Sequence, residues 1–224
     1  MQVKLIEFTP NPERVIADAA RTCYSPKTTS DLTDRPYDAG SDAEYLRKVL
    51  ASGHLSVVEH ASFTFGVDGI SRACSHQLVR HRIASYSQQS QRYVELKEGQ
   101  KVDYVMPPSI DGNHGREVIF NLNMNNAVAD YLALVADGVP AEDARYLLPN
   151  AMATNITVTM NARSLLNFFS LRCCNRAQWE IRELADKMLD LVRPLAPTVF
   201  EHAGPSCRRG NCPEGKMSCG KPRT

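Results

Sequence analysis

The chain has 224 residues, 43% of them hydrophobic and 23% charged, with a formal net charge of +1. That is enough for one domain with a sizeable core, and too neutral for an extended nucleic-acid surface, which binds through many cations that displace counterions. No run reaches the ~18 apolar residues of a membrane helix, and Met1-Gln2-Val3-Lys4 lacks a signal peptide's charged-then-apolar layout. The expectation is a cytoplasmic protein without a membrane or nucleic-acid partner. Seven cysteines, an odd number, favour reduced thiols over a closed disulfide framework.

In chain order, Asn11-Pro12-Glu13 is a helix start, with Asn as cap and Pro in the first turn, and Val15, Ile16, Ala19 and Ala20 form its buried stripe. Residues 25–40 read as a loop. Ser41-Asp42-Ala43-Glu44 has the spacing of a capping box, opening a helix over Tyr45, Leu46, Val49 and Leu50 that ends at Gly53. Ser62 to Val67 alternates as a strand. Ile70 to Arg82 has helical periodicity, with Ala73, Gln77 and Arg80 on one face. Val94 to Gly115 is irregular, Asn125 to Asp137 is a helix stopped by Gly138, and Pro140 opens another that carries Arg145. Thr154 to Met160 is a strand rich in β-branched residues. Asn161 caps a helix bearing Arg163, Asn167 and Arg172, and a last helix, Gln178 to Val192, buries Ile181, Leu184, Ala185, Met188 and Leu191. Six or so helices with two or more strands make an α+β fold.

The segment Arg80-His81-Arg82-Ile83-Ala84-Ser85-Tyr86-Ser87-Gln88-Gln89-Ser90-Gln91-Arg92 concentrates guanidinium groups, hydroxyls and amides. Guanidinium forks suit phosphate, and the neutral polar groups can read a planar heterocycle. Apolar Leu78, Val79, Ile83 and Ala84 flank the cations, so a solvated basic helix end is the weaker reading.

Arg-His-Arg, seven residues, then Ser90 and Arg92 resembles the signature of the flavin-dependent thymidylate synthases. Gly53-His54-Leu55-Ser56-Val57-Val58-Glu59-His60 is similar to that family's upstream histidine segment. Asn161-Ala162-Arg163-Ser164-Leu165-Leu166-Asn167-Phe168, then Leu171-Arg172 and Ala177-Gln178-Trp179-Glu180, is similar to its downstream block. The resemblance runs from about Val3 to Phe200. It implies a domain over residues 1–203 with a small antiparallel sheet packed by several helices, assembled as a homotetramer whose active sites are shared between subunits. It further implies that FAD carries hydride from NADPH while methylenetetrahydrofolate supplies one carbon to deoxyuridylate. Carried over residue by residue, Ser56, Arg80, His81, Arg82, Gln88, Asn161, Ala162, Arg163 and Asn167 hold the flavin. Gln77, Leu78, Val79, Arg80, Gln88, Gln89, Ser90, Gln91, Arg92 and Arg145 hold the nucleotide, with Arg92 and Arg145 on its phosphate, and His54 and Glu59 line the same pocket. Arg172 binds the substrate and, as the catalytic residue, polarises the uracil.

Several residues have plainer readings. Arg145 can pair with Glu142 or Asp143 on its own helix, and Asn161 can be a cap alone. Cys173 and Cys174 follow Arg172 and can be core residues or a thiolate nucleophile. The tail, 204–224, lies beyond the family core and carries Cys207, Cys212 and Cys219. With His202 or Cys173 these can bind zinc, although the spacing is not a two-residue knuckle; the reading preferred is a reduced tail with no metal ligand. A zinc-stabilised nucleic-acid module is the rival function, and the near-neutral charge opposes it.

Overall fold

A computed structural model describes residues 1–100 and 102–223. The chain opens on strand β1 (Gln2–Phe8), which carries no clean alternation because Ile6 is 58% exposed beside half-buried Val3 and Leu5. Helix α1 (Pro12–Thr22) has proline in its first turn as expected. Asn11, however, makes no side-chain cap: it sits at φ 48°, ψ 58°, a left-handed conformation that asparagine tolerates. Ile16, Ala17 and Ala20 are buried, with Val15 and Ala19 only half-buried.

The loop expected over 25–40 holds a short helix, α2 (Thr29–Thr33), opened by a Thr28–Asp31 capping box. Helix α3 (Ala39–Ala51) starts earlier than its expected box. Asp38 is the cap and accepts from the Gly40 and Ser41 amides, donors that Ser41 cannot serve from inside the first turn. A 3-10 turn (Leu55–His60) leads into strand β2 (Ser62–Ser71), and helix α4 is only Arg72–Leu78. The strand outruns its sequence pattern because the switch to helix waits for Ser71, whose hydroxyl accepts from the Cys74 amide. Arg80-His81-Arg82 therefore follows the helix rather than extending it. Strand β3 (Ser85–Gln88) comes next, its Ser-Tyr-Ser-Gln sequence offering no apolar alternation to read.

Helix α5 (His114–Ala136) reaches further back than expected because Asn113 caps it through the Arg116 amide. Helix α6 (Ala141–Ala144) passes into a 3-10 turn at Arg145–Leu147, and strand β4 (Ala153–Asn161) follows. Helix α7 (Ala162–Arg172) is capped by Asn161, whose Oδ1 accepts from the Ser164 amide at 2.9 Å. Helix α8 (Trp179–Val192) buries Leu189 in place of Leu191. The tail forms 3-10 turns at Ser206–Arg209 and Gly215–Met217.

The four strands make one antiparallel sheet, ordered β1-β2-β4-β3, so the fold is α+β. Packing groups the described residues into two compact units. The first comprises Met1–Gln2, Val67–Arg80 and Ser87–Thr157, and the second Val3–Gly66, His81–Tyr86 and Val158–Thr224. In the first, Ile70, Leu78, Tyr131 and Met152 are buried. In the second, Phe63, Phe168, Phe169 and Phe200 form a chain of edge-to-face rings with centroids 5.7 to 6.0 Å apart, a geometry that adds to area burial. A buried carboxylate, Asp42, is held there by Arg21 at 2.7 Å and by one arm of Arg35, whose Nη2 donates to both carboxylate oxygens.

Candidate active site

In the second unit, α7 presents two faces. Leu165, Phe168 and Phe169 pack into the core, while Arg163, Asn167 and Ser170, three and four residues apart, line a cavity of about 600 Å³ with Asn161, Glu59, His81, Leu55 and Ile83. His81 is 9% exposed and meets the Phe168 ring edge-on at 5.4 Å. The Ser164 hydroxyl gives its single proton to the Ile83 carbonyl, so at the 2.7 Å contact with His81 Nε2 it must accept. His81 is thereby fixed with its proton on Nε2 and Nδ1 left as an acceptor. Burial, with the charge of Arg172 adding to it and the Ser164 bond opposing, holds the imidazole pKa below its usual value, so the ring stays neutral. Tyr86 donates to the His81 carbonyl at 2.7 Å, and burial pushes its own pKa up to about 12. Arg163 pairs with Glu59 across the cavity mouth. Ala162 is fully buried and offers backbone alone, its amide donating to the Ala61 carbonyl. Ser56, Arg82 and His54 are exposed outside the cavity lining, and His54 Nδ1 meets the Tyr24 hydroxyl.

In the first unit, a second cavity of about 570 Å³ is lined by Gln89, Ser90 and Gln91 from the signature, with Arg72, Asp68 and Asn155. Arg72 was not singled out from the sequence. No local pattern marked it, since the helical period was expected from Ile70; the structure starts α4 at Arg72, where a cation opposes the helix dipole. One guanidinium arm donates to the Gln89 carbonyl at 2.9 Å, and its buried Nε has no partner among the described residues. Burial, then repulsion from Arg145, lowers its pKa. Arg92 pairs with the Glu142 carboxylate at 2.8 Å, and Arg145 donates to the Glu142 backbone carbonyl rather than to either neighbouring carboxylate. Gln88 is not among the residues lining the cavity and donates to Ser75 and to Thr154, which does line it. Gln77 is half-buried on α4, Leu78 is fully buried, and Val79 and Arg80 are exposed just past the helix end.

A third cavity, of about 620 Å³ in the second unit, is lined by half-buried Arg172 and by the tail. Cys174, Cys207, Cys212 and Cys219 all line it, whereas His202 and Cys173 do not. All seven cysteines are free, and among the described residues no three His, Cys, Asp or Glu side chains are arranged to hold a metal ion. Burial, followed by the nearby Asp186 carboxylate, pushes the Cys173 thiol far up, so it is protonated at neutral pH and unsuited to nucleophilic attack.

A family described as thymidylate synthase complementing protein matches residues 4–198. The chain is 55% identical over 221 residues to a Geobacter sulfurreducens protein, spanning 99% of this chain and 94% of that one. It is 48% identical over 241 residues to a Clostridium tetani protein, again spanning 99% and 94%. Both relatives bear the name flavin-dependent thymidylate synthase. A crystal structure titled as a UMP/dUMP methylase, PolB, from Streptomyces cacaoi bound with 5-Br dUMP superposes with a TM-score of 0.76 at 25% identity, covering 91% of this chain and 95% of that one. These matches run through the Arg80-His81-Arg82 signature, the Asn161 block and Arg172, and the chain belongs to the flavin-dependent thymidylate synthases, a family of methyltransferase enzymes.

Proposed function

We propose that this enzyme reductively methylates dUMP to dTMP, with 5,10-methylenetetrahydrofolate as carbon donor, FAD as hydride carrier and NADPH as reductant. The observation that carries the reading is the α7 cavity, where a neutral, oriented His81 faces the Asn161, Arg163 and Asn167 side of the helix. Its chemistry fits a flavin dinucleotide. The positive end of α7 and Arg163 favour a pyrophosphate, Leu55, Ile83 and Leu166 offer apolar walls to a planar ring, and His81 Nδ1 would be available to accept from a bound ring's N–H. When bound and reduced, the flavin supplies hydride.

Deoxyuridylate binding is assigned to Gln89, Ser90, Gln91, Arg92 and Arg145, joined by Arg72. The unpartnered Arg72 Nε and the repulsion between Arg72 and Arg145 are both relieved by a phosphate dianion. Arg172, whose planar guanidinium offers several N–H donors, donates to the uracil edge as negative charge develops there. Ser56, Arg80, Arg82 and Gln77 complete these sites within the assembled enzyme. A homotetramer is supported by α5, which leaves Val118, Ile119 and Leu122 at 50 to 66% exposed. Among the described residues no helix is long and apolar enough to cross a membrane, and the free cysteines suit a reducing cytoplasm.

Since Cys173 is held protonated, changing Cys173 and Cys174 together to Ser keeps thymidylate formation within about tenfold of the parent, roughly 1.4 kcal/mol of barrier. Abolished turnover in a well-folded double variant would return the thiol nucleophile. The overall reading is tested by the visible spectrum of the purified protein. A flavin band that bleaches on adding NADPH, and thymidylate formation that requires both dUMP and methylenetetrahydrofolate, are the expected results; a colourless protein that gains no activity with added FAD refutes it.

A further inference from the structure

The tail is bound at one place above all, the turn that directly follows Arg172. Arg223 donates to the Cys173 carbonyl at 2.6 Å and grips Asp186 with two bonds of 2.9 and 3.1 Å. Asn175 donates to the Lys221 carbonyl at 2.7 Å. Arg176 donates to the Met217 carbonyl at 2.6 Å and to the Glu214 carboxylate at 3.1 Å. From the other side, Arg182 of α8 donates to the Asn175 carbonyl at 3.0 Å. Three of the four residues after Arg172 are thus held by chain more than thirty positions away.

An exposed ion pair such as Arg176–Glu214 contributes little by itself. The Arg223 bond differs, because it satisfies the carbonyl of Cys173, the residue that caps the end of α7, while Asn175 and Arg176 anchor the turn by donating to carbonyls of the tail. Helix ends fray unless their last carbonyls find partners, and Arg172 is the final residue of α7. Of these tail residues, Glu214, Lys221 and Arg223 also line the cavity that Arg172 lines.

We propose that residues 204–223 form a strap that positions Arg172, with Arg176 and Arg223 as its positioning residues. The proposal rests on the catalytic assignment of Arg172 and goes beyond it by giving the tail a task. Neither positioning residue touches the substrate; each acts through the Cys173-to-Arg176 turn. Displacement of a catalytic group by about an ångström can cost up to a hundredfold.

The test is a cycle in the full-length enzyme: parent, Arg176→Ala/Arg223→Ala, Arg172→Ala, and the triple variant, each assayed for bound FAD, dUMP affinity and turnover. The strap variant is expected to keep its FAD and lose about tenfold in dUMP affinity and in kcat, while in the Arg172→Ala background the same two changes add less than about twofold. With Arg223→Ala kept, Arg176→Lys in place of Arg176→Ala should recover part of the loss, since an ammonium can still reach the Met217 carbonyl. Unchanged affinity and turnover in the strap variant overturn the proposal, as does an equal loss in the Arg172→Ala background, or loss of FAD together with activity. If Arg172→Ala itself behaves as the parent, the catalytic assignment has failed instead.

Discussion

Replacing Arg172 with Ala is expected to leave FAD bound while removing most dUMP affinity and at least about a hundredfold of turnover. The magnitude is that of deleting one preorganised donor aimed at charge that develops in the transition state. Arg172 ends α7, whose opposite end carries Asn161 and Arg163 at the cavity assigned to flavin. It lies half-buried, and its charge is felt by both His81 and Tyr86. One rigid helix therefore sets the spacing between a cation and the residues around the flavin cavity, about 1.5 Å per residue. Lysine keeps the charge and loses the planar fork, so Arg172→Lys should recover only part of the loss. Flavin absorbance, dUMP titration and a thymidylate assay on one preparation decide the matter. Normal nucleotide binding with normal turnover removes Arg172 from the mechanism.

Legibility of the fold followed the strength of the local signal. β4 and α7 were readable because β-branched alternation gives way at a single asparagine to a helical period, and the structure has Asn161 in that capping role. β1 and β3 were not readable. Ile6 breaks the alternation of the first, and Ser85–Gln88 carries a single aromatic, Tyr86, too little to mark an alternating buried face. The cap of α3 was misplaced because more than one residue near its start can serve the same amide donors, whereas Asn11 stands at the expected start of α1 but makes no side-chain bond there.

The site residues divide similarly. Motif spacing drew attention to His81, Asn161, Arg163 and Asn167, which now line one cavity, and to Gln89, Ser90 and Gln91, which line another. It could not find Ser164, whose side chain fixes the His81 tautomer from 83 positions away, nor the burial that leaves Arg72 Nε unpartnered. Both properties depend on contacts between distant segments. The tail was read by its cysteines, yet the structure holds it through Asn175, Arg176 and Arg223, polar residues with no pattern of their own.

Removing the His81 side chain should yield folded protein that has lost its flavin. His81→Ala deletes the Nδ1 acceptor assigned to the flavin ring, together with an edge contact to Phe168. Loss of one buried hydrogen bond costs about 1 to 3 kcal/mol, enough to lower flavin affinity about tenfold or more. Ser164→Ala provides the graded comparison. It keeps the ring and removes the acceptor that fixes its tautomer, so flavin should bind more weakly than in the parent and more tightly than in His81→Ala. The same geometry gives a pH signature in flavin-free protein. Because the His81 pKa is depressed in the folded state, the unfolded chain takes up the proton first as pH falls. The stability associated with neutral His81 is therefore full above the unfolded value of about 6.5 and is lost as pH falls through that value toward the lower folded one. His81→Gln, which can still donate to Ser164 but does not titrate, should melt with a flatter pH dependence between about 7.5 and 5. Flavin stoichiometry by absorbance and thermal melts across that range are the two measurements. An alanine variant at full flavin occupancy would show that His81 does not hold the flavin, and parent and glutamine variants with identical pH profiles would show that it does not stay neutral inside the fold.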